Sequence, residues 1–394
     1  MRLELLTSLT QEKGPFVTVC HDVSRLDTQA SHEVELRWEG AVRELIAQGA
    51  PPETLEVVGE RALAPSGRSG RVGRFIIGSG DRVLLDIVLP DAPLRDQARF
   101  GTVPDLMPLF RWLCTSTRYA VVRLDRMGAD VEVVGLFGEK AQAESVQGTE
   151  DIVHKFGGGG WAHRRFQQRI EDSWQRNASQ VAHQLESIVR TQRPQLVLVL
   201  GDQQAISALT GSASHELGER LVRLDTGGRA EGTSAELERQ AIEEAVAAHV
   251  RQHKQDLLER YAAALAKQEE GLDGIAAVVD SLRRGQVDEL IIHDHPGAEG
   301  LLWVGEEPLQ IGTVREDAVT AGASDPQQQP AAEVLLWATL GSGGGITVLA
   351  DDDEVPVELT DGVGALLRWT DPSTPHSAAP SMPGHGESPG NTGP

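Results

Sequence analysis

The residues in this chain best equipped to grip a ligand stand together over 154–169, His-Lys-Phe-Gly-Gly-Gly-Gly-Trp-Ala-His-Arg-Arg-Phe-Gln-Gln-Arg. Between Ile152 and Ile170 there is no acidic residue, and Lys155, Arg164, Arg165 and Arg169 place four positive charges in a chain of formal net charge -23. Gly157, Gly158, Gly159 and Gly160 sample positive and negative φ alike, so ordering them costs unusually much entropy. Loose backbone, cationic side chains and Trp161 or Phe166 for stacking suit a polyanion such as RNA. A solvated loop is the other reading of the same residues. His163 beside Arg164 and Arg165 has the chemistry for acid–base work at a phosphate. No carboxylate partner lies in the stretch, which favours a cationic binding surface.

Other combinations carry less. Arg68, Arg71 and Arg74 precede a hairpin and offer a second phosphate contact, or simply a solvated hairpin flank. His293-Asp294-His295 follows a strand and has two imidazoles and a carboxylate, but such spacing is common on loops that hold no metal, and no metal is expected. Asp351-Asp352-Asp353-Glu354 lacks calcium-loop spacing and reads as a solvated turn. No Gly-Lys dipeptide occurs, which excludes the phosphate loop of ordinary nucleotide hydrolases. Gly201-Asp202 stands at a strand-to-helix junction without the three-glycine spacing of a dinucleotide site. The nucleophile elbow Gly-x-Ser-x-Gly is missing too. No cofactor is expected. With only Cys20 and Cys114, neither a disulfide framework nor a four-cysteine zinc site can be assembled. No run of about 18 apolar residues occurs, so a cytoplasmic protein without membrane contact is expected.

The elements that must position the cationic stretch are legible from periodicity. Apolar residues at Phe166, Ile170, Trp174, Ala178, Val181, Leu185 and Ile188 step by three and four, predicting a long amphipathic helix that the glycines feed directly. Pro194 ends it, and Leu196–Leu200 reads as a buried strand before the helix opened by Gly201-Asp202. Upstream, 120–124 and 131–137 read as a hairpin about the turn 127–130, followed by a polar loop over 138–163. Thr233 and Glu236 suggest a capping box for a helix to Gln268.

The flanks read as further α/β structure. Strand 16–20 precedes helices over 31–48 and 53–63, the first stopped by Pro51, and then a hairpin of 75–77 and 83–88 about Gly78-Ser79-Gly80-Asp81. Near the other end, a helix over 272–284, strands 289–293, 301–304 and 346–349, an apolar stretch 331–340 and a packed segment 361–369 are expected. From Thr370 onward the chain is rich in Pro, Gly and Ser and should not fold.

The segment Gly159-Gly160-Trp161-Ala162-His163-Arg164-Arg165-Phe166 resembles the tip of the archaeo-eukaryotic class-one peptide release factors. There Gly-Gly-Gln is followed by a short link and Arg-Phe at the start of a long helix, and Arg165-Phe166 falls in register. The closing Asp-Gly-Val-Gly-Ala-Leu-Leu-Arg of 361–368 is similar to a motif of the bacterial branch of this superfamily, which includes Pelota and the Balon-type hibernation proteins. The resemblance covers about 1–370. It implies an α/β chain of three-domain release-factor-like architecture: an N-terminal α/β domain (1–115), a middle α/β domain with glycine-rich tip and long helix (116–268), and a small C-terminal α/β/α domain (269–370), with a disordered tail at 371–394. It also implies a ribosome partner, with rRNA contacts at the decoding and peptidyl-transferase centres through Lys155, Gly157–Gly160, Trp161, His163, Arg164, Arg165 and Arg169, and allows an elongation GTPase as a further partner.

One departure sets the expected activity. Where release factors carry the glutamine that positions water at the ester of peptidyl-tRNA, this chain has Trp161, whose indole has one N–H donor and no acceptor. A factor that occupies the aminoacyl-tRNA site and silences or protects idle ribosomes without catalysis is therefore expected. The alternative is a peptidyl-tRNA hydrolase, as in relatives whose glutamine sits elsewhere, with Gln167 or Gln168 supplying the amide. A cytoplasmic interaction scaffold is a third reading, resting on the acidic charge and the tail.

Overall fold

A computed structural model of the chain describes residues 4–25, 30–125, 128–147, 161–225, 235–267, 269–294, 300–371 and 374. They divide into two units, one drawn from Met1–Cys114 and Lys254–Pro394, the other from Thr115–His253. The first stretch of the first unit contains α1 (Glu4–Thr7), β1 (Phe16–Asp22), α2 (Ala30–Ala47), α3 (Pro52–Leu63), β2 (Gly73–Ser79), β3 (Arg82–Leu89), β4 (Gln97–Gly101) and α4 (Met107–Leu113). The strands form an antiparallel sheet in the order β3-β2-β1-β4, and the expected β2–β3 hairpin is present. Because successive side chains of a strand point to opposite faces, β1 serves two cores. Val17 and Val19 pack with Trp38, Leu45, Leu55 and Val58 of α2 and α3, while Phe16 meets Trp337 edge-on with ring centroids 5.5 Å apart.

The second unit contains β5 (Tyr119–Leu124), β6 (Gly128–Val134), β7 (Lys140–Gln147), α5 (Trp161–Gln192), β8 (Leu196–Gly201), α6 (Gln203–Ser212), α7 (His215–Gly218), β9 (Leu221–Arg223) and the first part of α8 (Ala235–Lys267). Its sheet runs β7-β6-β5-β8-β9, antiparallel from β7 to β5 and parallel from β5 to β9. Two sequence expectations are corrected here. The polar stretch after 138 is not all loop, because 140–147 forms β7, and β6 ends at Val134 rather than at 137. Lys-Ala-Gln-Ala-Glu-Ser-Val-Gln has almost no apolar signal; it is a strand because it lies at the sheet edge and pairs from Gly128↔Gln147 to Val134↔Lys140. The Thr233 capping position lies outside the described residues.

The chain then returns to the first unit through the rest of α8 and adds β10 (Gly271–Asp273), α9 (Ile275–Arg283), β11 (Val287–His293), β12 (Leu301–Val304), β13 (Ile311–Gly312), α10 (Arg315–Thr320), β14 (Gln327–Pro330), α11 (Ala331–Gly341), β15 (Gly345–Leu349) and β16 (Val363–Leu367). A four-stranded sheet β10-β16-β11-β15 and a three-stranded one β13-β12-β14 result. The helix expected over 272–284 starts later than its apolar spacing suggested: Leu272 belongs to β10, where it pairs with Ala365, and α9 begins at Ile275. The apolar stretch 331–340 becomes α11, buried on nearly every side, as a helix without a polar face must be. Order also continues past Thr370, because Thr374 is buried and accepts a hydrogen bond from Gln286 Nε2 at 2.9 Å; residues 375–394 lie outside the described set.

The closing motif at 361–368 has a structural explanation. Its strand β16 sits between β10 and β11. Asp361 Oδ2 accepts from the Ile275 backbone N–H at the start of α9. At Gly364 a Cβ would come within 2.3 Å of Tyr261 Oη, and that hydroxyl donates to the Leu272 carbonyl at 3.0 Å. A larger residue at 364 would push Tyr261 of α8 off the sheet.

Candidate nucleic-acid interface

Helix α5 carries the cationic stretch, and its hold on the sheet starts with strand periodicity. On β5, Ala120, Val122 and Leu124 face one core, joined there by Val197 and Val199 of β8 and by Val181, Ala182, Leu185, Ile188 and Val189 of α5. The intervening Val121, with Leu196, Leu198 and Leu200, faces Ile242 of α8. The sheet is thus buried on both faces, which accounts for the apolar runs 119–122 of β5 and 196–200 of β8.

The junction after β8 is tightly specified. Gly201 has φ of 128°, and a Cβ there would lie 1.9 Å from the Leu124 carbonyl oxygen. Asp202 then caps α6, its Oδ1 accepting from the backbone N–H groups of Gln204 at 2.9 Å and Ala205 at 3.1 Å. Charge pairs tie the sheet to α8: Arg123 Nε donates to Glu238 at 2.6 Å, and its Nη1 lies 3.4 Å from Glu132, which also meets Lys140 at 2.5 Å. Burial opposes the charge on Glu132, yet Lys140 and Arg123 outweigh it and leave its carboxyl below the usual range.

On this frame α5 begins at Trp161 itself and runs 32 residues, about 48 Å at 1.5 Å per residue. Lys155 and Gly157–Gly160 lie outside the described residues. Trp161, His163, Arg164, Arg165, Gln167, Gln168 and Arg169 all fall on helical backbone in the opening turns of α5, with 161, 165 and 169 at successive turns of one helix. Among the side chains described, those from Ala178 to Val189 include the buried positions that hold α5 to the sheet.

The other sequence candidates resolve differently. Arg74 is withdrawn as a phosphate contact, since it is buried and its Nε and Nη2 both donate to Asp86 at 2.7 Å while Nη1 donates to the Ala64 carbonyl at 2.9 Å. Asp294 is engaged by Arg111, His293 Nδ1 lies 4.0 Å from Asp351, and His295 lies outside the described residues. Among the described residues no group of three or more His, Cys, Asp or Glu gathers as metal ligands would, and no helix is long and apolar enough to cross a membrane. Cys20 is buried, which pushes its thiol up to about 12. Sequence reasoning passed over a groove at the far end of α5, lined in part by Arg190, Arg193 and Arg220; Arg-Thr-Gln-Arg-Pro reads locally as an ordinary basic helix end.

Residues 118–267, which hold this sheet, this junction and these two long helices, match the family model described as bacterial archaeo-eukaryotic release factor family 2. A relative over nearly the whole chain is the Mycobacterium tuberculosis (strain H37Rv) protein called uncharacterized protein Rv2629, 28% identical over 386 residues, covering 94% of this chain and 97% of its own length. Solved structures similar to the chain include the archaeal translation termination factor aRF1, at 15% identity and TM-score 0.25 over 93% of this chain and 96% of that one. Archaeoglobus fulgidus Pelota matches at 12% identity and TM-score 0.35 over 93% and 92%.

Proposed function

We propose that this chain is a ribosome-associated translation factor that enters the aminoacyl-tRNA site and silences or protects idle ribosomes without cleaving peptidyl-tRNA. The observation that carries the reading is the residue after the paired glycines: the release-factor-like segment has Trp161 where the hydrolytic members have glutamine, and Trp161 is already the first residue of α5. An indole can stack on a base and donate one hydrogen bond, but unlike an amide it has no oxygen to accept a hydrogen bond from attacking water. Lys155, His163, Arg164, Arg165 and Arg169 would meet rRNA phosphates near the peptidyl-transferase centre, and the remainder of the chain would reach toward the decoding centre. An elongation GTPase is a candidate carrier.

The hydrolase reading is weaker on helical geometry. Gln167 and Gln168 are internal to α5, about 9 and 10 Å along the helix axis from Trp161 at 1.5 Å per residue, so neither takes the place of an amide at the tip without unwinding two turns. The test has two arms. Lysates of starved cells are fractionated at low salt, and the protein is expected with ribosomes or the large subunit; its absence from those fractions refutes the reading. Purified protein added to stalled ribosome–nascent-chain complexes is expected to leave peptidyl-tRNA intact, and release that disappears in Gln167→Ala or Gln168→Ala would establish the hydrolase instead.

A further inference from the structure

The end of α5 remote from the tip forms one wall of a groove of about 620 Å³, bounded by Glu186, Arg190, Arg193, Gln195, Ser214 and Arg220 among others. Its acids are already engaged. Glu216 pairs with Arg220 at 2.8 Å, and Glu186 Oε1 accepts from the Ser214 backbone N–H at 3.2 Å. The side chains of Arg190 and Arg193 are exposed and have no hydrogen-bond or ion-pair partner among the described residues. A helix C-terminus favours a cation in its last turn, which accounts for Arg190 but not for Arg193 or Arg220 beyond it.

Backbone geometry singles out Arg193. It adopts φ of 50°, a left-handed conformation that a helix end normally gives to glycine because a Cβ is disfavoured there. The corner is held by Arg193 N–H to the Val189 carbonyl at 3.1 Å and by Arg118 Nη1 to the Gln192 carbonyl at 2.8 Å. Nothing in these contacts uses the guanidinium. Two free forks and a third paired one on a single groove, in a chain of net charge -23, match the bidentate geometry of phosphate oxygens.

We infer that this groove is a second nucleic-acid contact, which seats the phosphate backbone of single-stranded RNA on Arg190, Arg193 and Arg220. The inference builds on the ribosomal reading above and adds a separate footprint to it. Trp161 and Arg190 lie about 44 Å apart along α5 at 1.5 Å per residue, so the tip and the groove would engage different segments of a large RNA.

Binding of a fluorescein-labelled uridine homopolymer to the full chain is measured by anisotropy across a salt series. Four proteins are compared: the parent, Arg190→Gln with Arg193→Gln, Arg164→Gln with Arg165→Gln, and a charge-matched control, Arg251→Gln with Arg260→Gln on exposed positions of α8. Loss of two phosphate contacts should flatten the log–log salt slope by about 1.4, at about 0.7 per contact for a single strand, with the control unchanged. Arg193→Gly should weaken binding while raising the thermal midpoint, which separates lost function from lost folding. The inference is overturned if the parent binds no RNA, if the groove variant binds like the parent, or if the control falls as far. Ribosome sedimentation that persists in the groove variant alongside parental RNA affinity sinks the groove and leaves the ribosomal reading standing. A parent that never sediments with ribosomes, yet loses RNA binding with the groove arginines, does the reverse.

Discussion

Replacing Glu333 with glutamine should make the first unit more stable at alkaline pH. Glu333 sits on the apolar helix α11 with 7% of its surface exposed, and its Oε2 has no hydrogen-bond partner among the described residues. Burial pushes its carboxyl up to about 8, and the nearby Asp105 adds to the rise, while Arg99 at 2.9 Å pulls the other way without cancelling it. The sign follows from proton counting. With an ordinary value of 4.5 in the unfolded chain, the folded state binds the extra proton between about 4.5 and 8, so the stabilisation is complete below 4.5 and is lost as pH rises to about 8. At about 1.4 kcal/mol per pH unit, the loss has a ceiling of about 5 kcal/mol. Glutamine mimics the protonated acid and removes this dependence, while Arg99, whose side chain is 38% exposed, keeps access to water. Urea unfolding of parent and Glu333→Gln, followed by tryptophan fluorescence from pH 5 to 9, should give stabilities that lie closest at pH 5, separate steadily as the pH rises to about 8 with the variant more stable, and keep a constant gap above that. Parallel curves across that range would refute a raised carboxyl at this position.

Further outcomes concern the second unit and the tip. Gly201→Ala places a methyl 1.9 Å from the Leu124 carbonyl oxygen in a conformation of φ 128°, and should destabilise the unit by more than about 3 kcal/mol, read by urea unfolding. Leu185→Ala empties a fully buried position where α5 meets the sheet and should cost about 2 to 5 kcal/mol; a value below 1 would mean that α5 is held elsewhere. Trp161→Gln restores the amide at the tip and, if only that group is missing, should raise peptidyl-tRNA release from stalled complexes about tenfold or more over the parent, a barrier change of about 1.4 kcal/mol.

How far local sequence carried the fold depended on the kind of signal. The long helix announced itself because its anchor residues, Ala178 to Ile188, repeat with the helical period, and a buried stripe of that length has few other solutions. β5 and β8 were equally plain, since 120–122 and 196–200 are apolar on both faces. β7 was not, since an edge strand of Ala, Gln, Glu and Ser owes its form to the hydrogen bonds of β6. Leu272 was misread because the apolar spacing of Leu272 and Ile275 onward suits a helix until β16 supplies a partner for Gly271–Asp273.

The candidate site divides along the same line. Sequence alone determined the tip's composition: four glycines, a basic run without acids, and a tryptophan directly after the glycines, because these are properties of residue type and order. Only the tertiary structure decided which charges are free. Arg74 looked available until Asp86 on the neighbouring strand claimed it. Arg190 and Arg193 looked like an ordinary helix end until the corner at Arg193 set them on a groove with Arg220. Glu333 was one acid among many until α11 buried it beside Asp105. Charge type is written locally, but its energy depends on solvent access and on partners distant in the chain, and folding alone brings those together.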